Sequence, residues 1–122
     1  MLMLPSSVKV YISTVPIDMR KSFDGLAGAT RSILKHDPMS GHLFVFLNKR
    51  ADLVKVLWWS HGGFSLYAKR LERGHFRFLK PVEPGRAEVE VSATELAMIL
   101  DGIDLGATRR RKLWNPGQRA AS

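Results

Sequence analysis

The sequence predicts a single α+β domain, in which an antiparallel sheet of about five or six strands packs against one main helix and is followed by a short C-terminal helix and a basic tail. Three observations carry that expectation. The chain has 122 residues, one domain's length and enough to bury a core. Several short runs alternate apolar and polar residues with period two, separated by turn chemistry. Only two stretches repeat with a helical period, and they lie before and after the block of strands.

Residues 8–13 alternate as a strand does, and Val15-Pro16 closes the run. Asp18 is placed to cap a helix over about residues 18–35, whose apolar positions Met19, Phe23, Leu26, Ala27, Ile33 and Leu34 fit the helical period. Gly25 and Gly28 each lower intrinsic helix stability by about 1 kcal/mol relative to alanine, which implies close packing on the sheet or local irregularity. Asp37-Pro38-Met39-Ser40-Gly41 is turn chemistry, and residues 43–47 are apolar on both faces, as a central strand requires.

A polar connection over residues 48–52 leads into a strand over 53–59. Leu53, Lys55, Leu57 and Trp59 share one face of that strand, and Val54, Val56 and Trp58 share the other. His61-Gly62-Gly63 reads as a tight hairpin turn into residues 64–69, and Glu72-Arg73-Gly74 as the next turn before a strand over 75–79, giving an antiparallel meander. Residues 80–85 form a loop with two prolines, and residues 87–91 an edge strand with Glu88 and Glu90 on one face. Ser92-Ala93-Thr94-Glu95 has the form of a capping box, Leu96, Ile99, Leu100 and Ile103 give the following helix its apolar face, and Gly102 is its stop. The globular domain is expected over residues 1–106, with a flexible basic tail over 107–122.

A formal charge of +8 and a pI near 10.3 point to an anionic partner. The tail holds Arg109, Arg110, Arg111, Lys112 and Arg119 and no acid, which leaves 14 basic against 11 acidic residues elsewhere. Residues 49–80 concentrate the remainder: Lys49, Arg50, Lys55, Lys69, Arg70, Arg73, Arg77 and Lys80 stand against only Asp52 and Glu72, interleaved with Trp58, Trp59, Phe64, Tyr67, Phe76 and Phe78. Cations neutralise phosphates while aromatic faces stack on bases or fill the core beneath. That mixture suggests nucleic-acid binding rather than catalysis.

Other chemistries find no foothold in the sequence. With no cysteine there is no disulfide, thiolate nucleophile or zinc knuckle. The four histidines lack ligand spacing, the acids are scattered over caps, turns and an edge strand, and a two-metal nuclease needs convergent carboxylates. No Gly-x-Ser-x-Gly elbow serves Ser60 or Ser65, and Gly25-Leu26-Ala27-Gly28 is neither a phosphate loop nor a dinucleotide fingerprint. No catalytic residue, metal or cofactor is therefore expected. The start lacks a positive n-region and no 18-residue apolar run exists, so the expected location is cytoplasmic, without a membrane partner.

Two features leave alternatives open. Alternation puts Trp58 and Trp59 on opposite faces, so one is core and the other is either packed scaffold as well or an exposed stacking platform or partner contact. Arg70, Arg73 and Arg77 are either a phosphate-contacting set around a turn or a solvated hairpin end.

The blocks 18–26 (Asp18-Met19-Arg20-Lys21-Ser22-Phe23-Asp24-Gly25-Leu26), 37–46, Lys55-Val56-Leu57-Trp58-Trp59, 67–76 and 96–104 occur in an order that resembles the TnpB accessory protein of the insertion-sequence-66 family, the product of that element's second reading frame. The likeness covers about residues 4 to 105. It implies a small bacterial mobile-element protein that accompanies a separate, larger transposase and binds DNA, the transposase, or both. The RNA-guided nuclease that shares the name is much longer and carries a nuclease domain and a cysteine zinc motif absent here. Arg20, Lys21, Lys55, Trp58, Trp59, Lys69, Arg70 and Arg73 are the candidate contacts that the resemblance marks; Lys49, Arg50, Arg77, Arg109, Arg110, Arg111 and Lys112 join them on charge. The alternatives are a protein-interaction subunit of the transposase complex without direct DNA binding, and an RNA-binding regulator. The oligomeric state stays open.

Overall fold

The computed structural model describes residues 4–78 and 82–102. Five strands form one sheet in the order β4-β3-β2-β1-β5, with β1 at Val10–Ser13, β2 at Leu43–Leu47, β3 at Leu53–Ser60, β4 at Gly63–Arg70 and β5 at Glu88–Val91. Helix α1 spans Phe23–Ala29 and widens into a π-helical turn at Thr30–Leu34; helix α2 spans Ala93–Leu100. The α+β class and the mostly antiparallel sheet agree with the sequence reading. One pair differs: β1 runs parallel to β2, with Val10 opposite Leu43 and Ile12 opposite Val45, because α1 carries the chain across the sheet between them.

The sheet is covered on both faces rather than on one. Val10, Ile12, Leu43, Val45, Leu47, Val54, Val56 and Val91 pack with Leu96, Ile99 and Leu100 of α2. Tyr11, Phe44, Phe46 and Leu57 pack with Leu26, Ala27, Ala29 and Leu34 on the side of α1. Strands apolar on both faces demand this: every residue of β1 and β2 is buried, so each sheet face needs its own cover.

The helix begins later than its apolar period suggests. Asp18 does not cap it; its carboxylate accepts from the Arg20 backbone N–H at 2.9 Å and from the Arg20 guanidinium, closing a turn ahead of the helix. Ser22 takes the N-cap position, and Phe23, 44% exposed, faces solvent rather than core. Gly25 and Gly28 do not serve contact with the sheet. A Cβ at Gly25 would come within 3.0 Å of Lys21 Cβ, whereas one at Gly28 would meet nothing within 4 Å. The irregularity is real, since the helix becomes π-helical at Thr30, whose buried hydroxyl donates to the Leu26 carbonyl at 2.8 Å. Lys35, with φ of 60°, ends it.

The meander is β2-β3-β4, and residues 75–78 form no strand. Instead the Phe76 N–H donates to the Ala51 carbonyl at 2.7 Å, its ring is buried, and Phe78 packs partly against the α2-side core. The period-two pattern there reports which side chains are buried, not a ladder. His61 and Gly62 both have positive φ and form the two-residue turn between β3 and β4; Gly63 already belongs to the strand. The capping box at Ser92 forms in full, with Glu95 N–H donating to Ser92 Oγ at 3.0 Å and Ser92 N–H to Glu95 Oε1 at 2.9 Å. Gly102, φ 78°, stands past the end of α2.

Candidate nucleic-acid interface

Strand direction gathers basic side chains at one end of the sheet. β1 and β2 run parallel and finish there, the β2–β3 loop carries Lys49 and Arg50, and β4 runs antiparallel to β3 so that Arg70 sits opposite Leu53. The chain then continues through Arg73, tied to the loop by Leu71 N–H donating to the Asp52 carbonyl at 2.8 Å and by the Phe76–Ala51 bond. Ile17 N–H donates to the Leu47 carbonyl at 3.1 Å, which brings the turn of Arg20 and Lys21 to the same end. Lys49, Arg50, Arg70, Arg73, Arg20 and Lys21 are all exposed.

Asn48 shapes the loop. Its side-chain oxygen accepts from the Asp52 and Leu53 N–H groups at 3.0 and 3.1 Å, and its amide donates to the Asp52 carboxylate at 2.6 Å. Those bonds allow Ala51 its left-handed φ of 57° and leave Lys49 and Arg50 at the tip. The Asn48 bond, with the charges of Arg50 and Arg70, holds the Asp52 carboxyl below its ordinary range, so it stays anionic while facing the basic end.

Asp18 is the second acid of this end. The Arg20 guanidinium bonded to it, with the Arg20 N–H, holds its carboxyl down from the usual 3.8 to about 2. Because the folded value lies below the unfolded one, the pair's contribution to stability is complete above about 3.8 and is lost as pH falls through about 2. In a carboxyl NMR titration, Asp18 should therefore show a midpoint near 2, and Arg20→Ala should return it toward 3.8. An unchanged midpoint in the variant would assign the shift to another cause.

Two lysines marked by the resemblance point inward. Lys55 Nζ donates to the carbonyls of Met19 at 2.7 Å and Lys21 at 2.8 Å, holding the segment before α1 onto the sheet. Lys69 Nζ donates to the Leu100 carbonyl at 2.6 Å, so its charge satisfies the C-terminus of α2. Both act as clamps between elements. Arg77 is exposed beside the buried Phe76. Arg109, Arg110, Arg111 and Lys112 lie outside the described residues.

Trp58 and Trp59 sit at the other end of β3. Trp59 pairs with Phe64 across the ladder while Leu53 pairs with Arg70, a separation of about 20 Å at the rise of an extended strand. Both indoles are half-buried. Trp58 packs against the α2-side core, and Trp59 meets Phe64 edge-on with ring centroids 4.9 Å apart. The fold thus separates the tryptophan pair from the exposed cations. Sequence reasoning missed Arg86, which lies at the basic end next to the Thr14 N–H to Ala87 carbonyl bond, and which pairs with Glu83 at 3.7 Å. Its signal was only the Pro84-Gly85 turn before it.

Among the described residues no three histidines, cysteines or acids stand where they could hold a metal ion, and no helix is long and apolar enough to cross a membrane. The family model described as "IS66 Orf2 like protein" matches residues 8–110. Two curated proteins of Sinorhizobium fredii are similar over nearly their whole lengths. "Uncharacterized protein y4hO" is 40% identical, covering 93% of this chain and 96% of the relative. "Uncharacterized protein y4jC" is 32% identical, covering 89% and 91%. No solved structure matches the chain.

Proposed function

The chain belongs to the IS66 Orf2-like family, and on that premise we propose that it is a non-catalytic accessory protein of transposition that binds duplex DNA with the basic end of its sheet. The observation that carries this reading is the convergence of Lys49 and Arg50 of the β2–β3 loop with Arg70 at the end of β4 and Arg73 just after it, segments tied together by main-chain bonds, onto one exposed surface. Arginine and lysine held on a rigid scaffold neutralise phosphates and release counterions without reading sequence. Arg20, Lys21 and Arg86 widen the same surface, and the basic residues of 107–122 raise the net positive charge of the chain. Lys55 and Lys69 serve it indirectly, by fixing the elements that bear it.

The test is binding of the purified full chain to duplex DNA in the absence of transposase, across a series of salt concentrations. The expected result is sequence-tolerant binding whose log affinity falls linearly with log salt, with a slope of about −0.9 per phosphate contact. Binding only when the transposase is present would favour the second reading, a protein-interaction subunit of the transposase complex. Trp59 and Phe64 favour that reading, as a half-buried aromatic pair remote from the cations.

A further inference from the structure

The outer edge of β4 ends the sheet with half of its main-chain groups directed outward. β4 is last in the strand order and has β3 as its strand partner. The ladder is hydrogen-bonded where Leu71 meets Asp52, and the register continues from there through Leu53–Arg70 and Val54–Lys69. Bonded and non-bonded pairs alternate along an antiparallel ladder. Ser65, Tyr67 and Lys69 therefore aim their main-chain groups at β3, while Phe64, Leu66, Ala68 and Arg70 aim theirs away from it. The Asn48 N–H to Leu53 carbonyl bond on the far side of β3 fixes the same alternation independently. Among the described residues no main-chain bond reaches those four.

Natural edge strands are blunted by shortness, charge, proline or a bulge. The opposite edge conforms, since β5 has four residues and two of them are glutamates. β4 does not conform: it has eight residues, and Phe64-Ser65-Leu66-Tyr67-Ala68 contains neither a charge nor a proline.

We infer that β4 pairs with β4 of a second copy of this chain, antiparallel about a two-fold axis at Tyr67, joining two sheets into one. A two-fold axis normal to the sheet keeps like faces together, so opposed residues must share parity. Centring it on Tyr67 sets Phe64 opposite Arg70 of the second copy and Leu66 opposite its Ala68. These are the residues whose main-chain groups face outward, so this register satisfies all four of them in each copy. The charges select both orientation and occupant. Antiparallel pairing sends the two sets of Lys69, Arg70 and Arg73 to opposite ends of the joined sheet and lays each Arg70 beside a Phe64 ring, a favourable cation–π arrangement. Parallel pairing would set like charges side by side.

The test uses sedimentation velocity and amide hydrogen exchange on the full chain over a wide concentration range. A monomer–dimer equilibrium is expected, with exchange at Phe64, Leu66, Ala68 and Arg70 slowing as dimer accumulates while exchange at Ser65, Tyr67 and Lys69 does not change. Ala68→Pro removes only an outward N–H and leaves the ladder to β3 complete, as edge prolines do. By symmetry the loss counts twice, so the dimer dissociation constant should rise about tenfold or more. Ala68→Lys, at an exposed position, places a charge mid-edge without touching the backbone, and should also weaken the dimer if the proline variant fails to fold. A chain that stays monomeric, or a dimer indifferent to Ala68→Lys, overturns the inference. So does a dimer that appears only after residues 103–122 are removed, which would show that the chain covers its own edge.

Discussion

Replacing Lys49, Arg50, Arg70 and Arg73 together by alanine should flatten the salt dependence of DNA binding by about 3 to 4 in the log–log slope, the value for four lost phosphate contacts. Between low and moderate salt that corresponds to about a hundredfold loss of salt sensitivity. All four side chains are exposed, and among the described residues their one ion pair, Arg50 with Asp52, is 4.0 Å long, so thermal melting should barely move. The loop itself should persist, because Asn48 and main-chain bonds hold it rather than the cations. A slope equal to that of the unaltered protein would place DNA contact elsewhere. The basic residues of 107–122 would then be the next to remove, and the basic end of the sheet would be solvated charge.

Trp58→Ala should destabilise the fold by about 3 kcal/mol, the lower end of the range for large aromatic deletions, because its indole is half-buried while packed against the α2-side core. Trp59→Ala should cost about 1 kcal/mol. It stands outside both core clusters and loses chiefly the edge-on contact with Phe64. Denaturant titration of the two variants separates them, and equal losses would mean that the two faces of β3 are equally committed to the core. Neither substitution should alter the salt slope of DNA binding, since both indoles lie at the end of β3 away from the cations.

The sequence made the strands legible because alternation and apolar runs report burial directly. The two faces of β3, the unbroken apolarity of β2 and the capping box at Ser92 all stand in the structure as their patterns imply. Where burial and hydrogen bonding part company, the same signal misleads. Phe76 and Phe78 alternate like a strand yet contribute only side chains to the core, and Met19 shares the helical period although its carbonyl bonds Lys55 outside any helix. Asp18 has the chemistry of a cap, but an arginine two residues later competes for its carboxylate.

The basic end was legible as composition and illegible as geometry. Lys55 and Lys69 looked equivalent to Arg70 and Arg73 in sequence, and only contacts spanning 34 and 31 residues convert them into internal clamps. Family membership followed from ordered motif blocks, and the family model covers most of the same span.

The central position of β1 governs the order in which this chain can mature as it is made. β2, β3 and β4 join through short hairpin connections, so that meander can assemble once residue 70 has left the ribosome. β1, synthesised first, must wait: its parallel partner β2 lies 33 residues on at Val10–Leu43, and its other neighbour arrives only with the pairing of Val10 to Val91. Loop closure makes such distant pairings slow. Until β5 and α2 emerge, one side of β1 and the apolar face beneath α2 are open, so a nascent chain halted before residue 88 is the form most exposed to proteolysis and to chaperone capture.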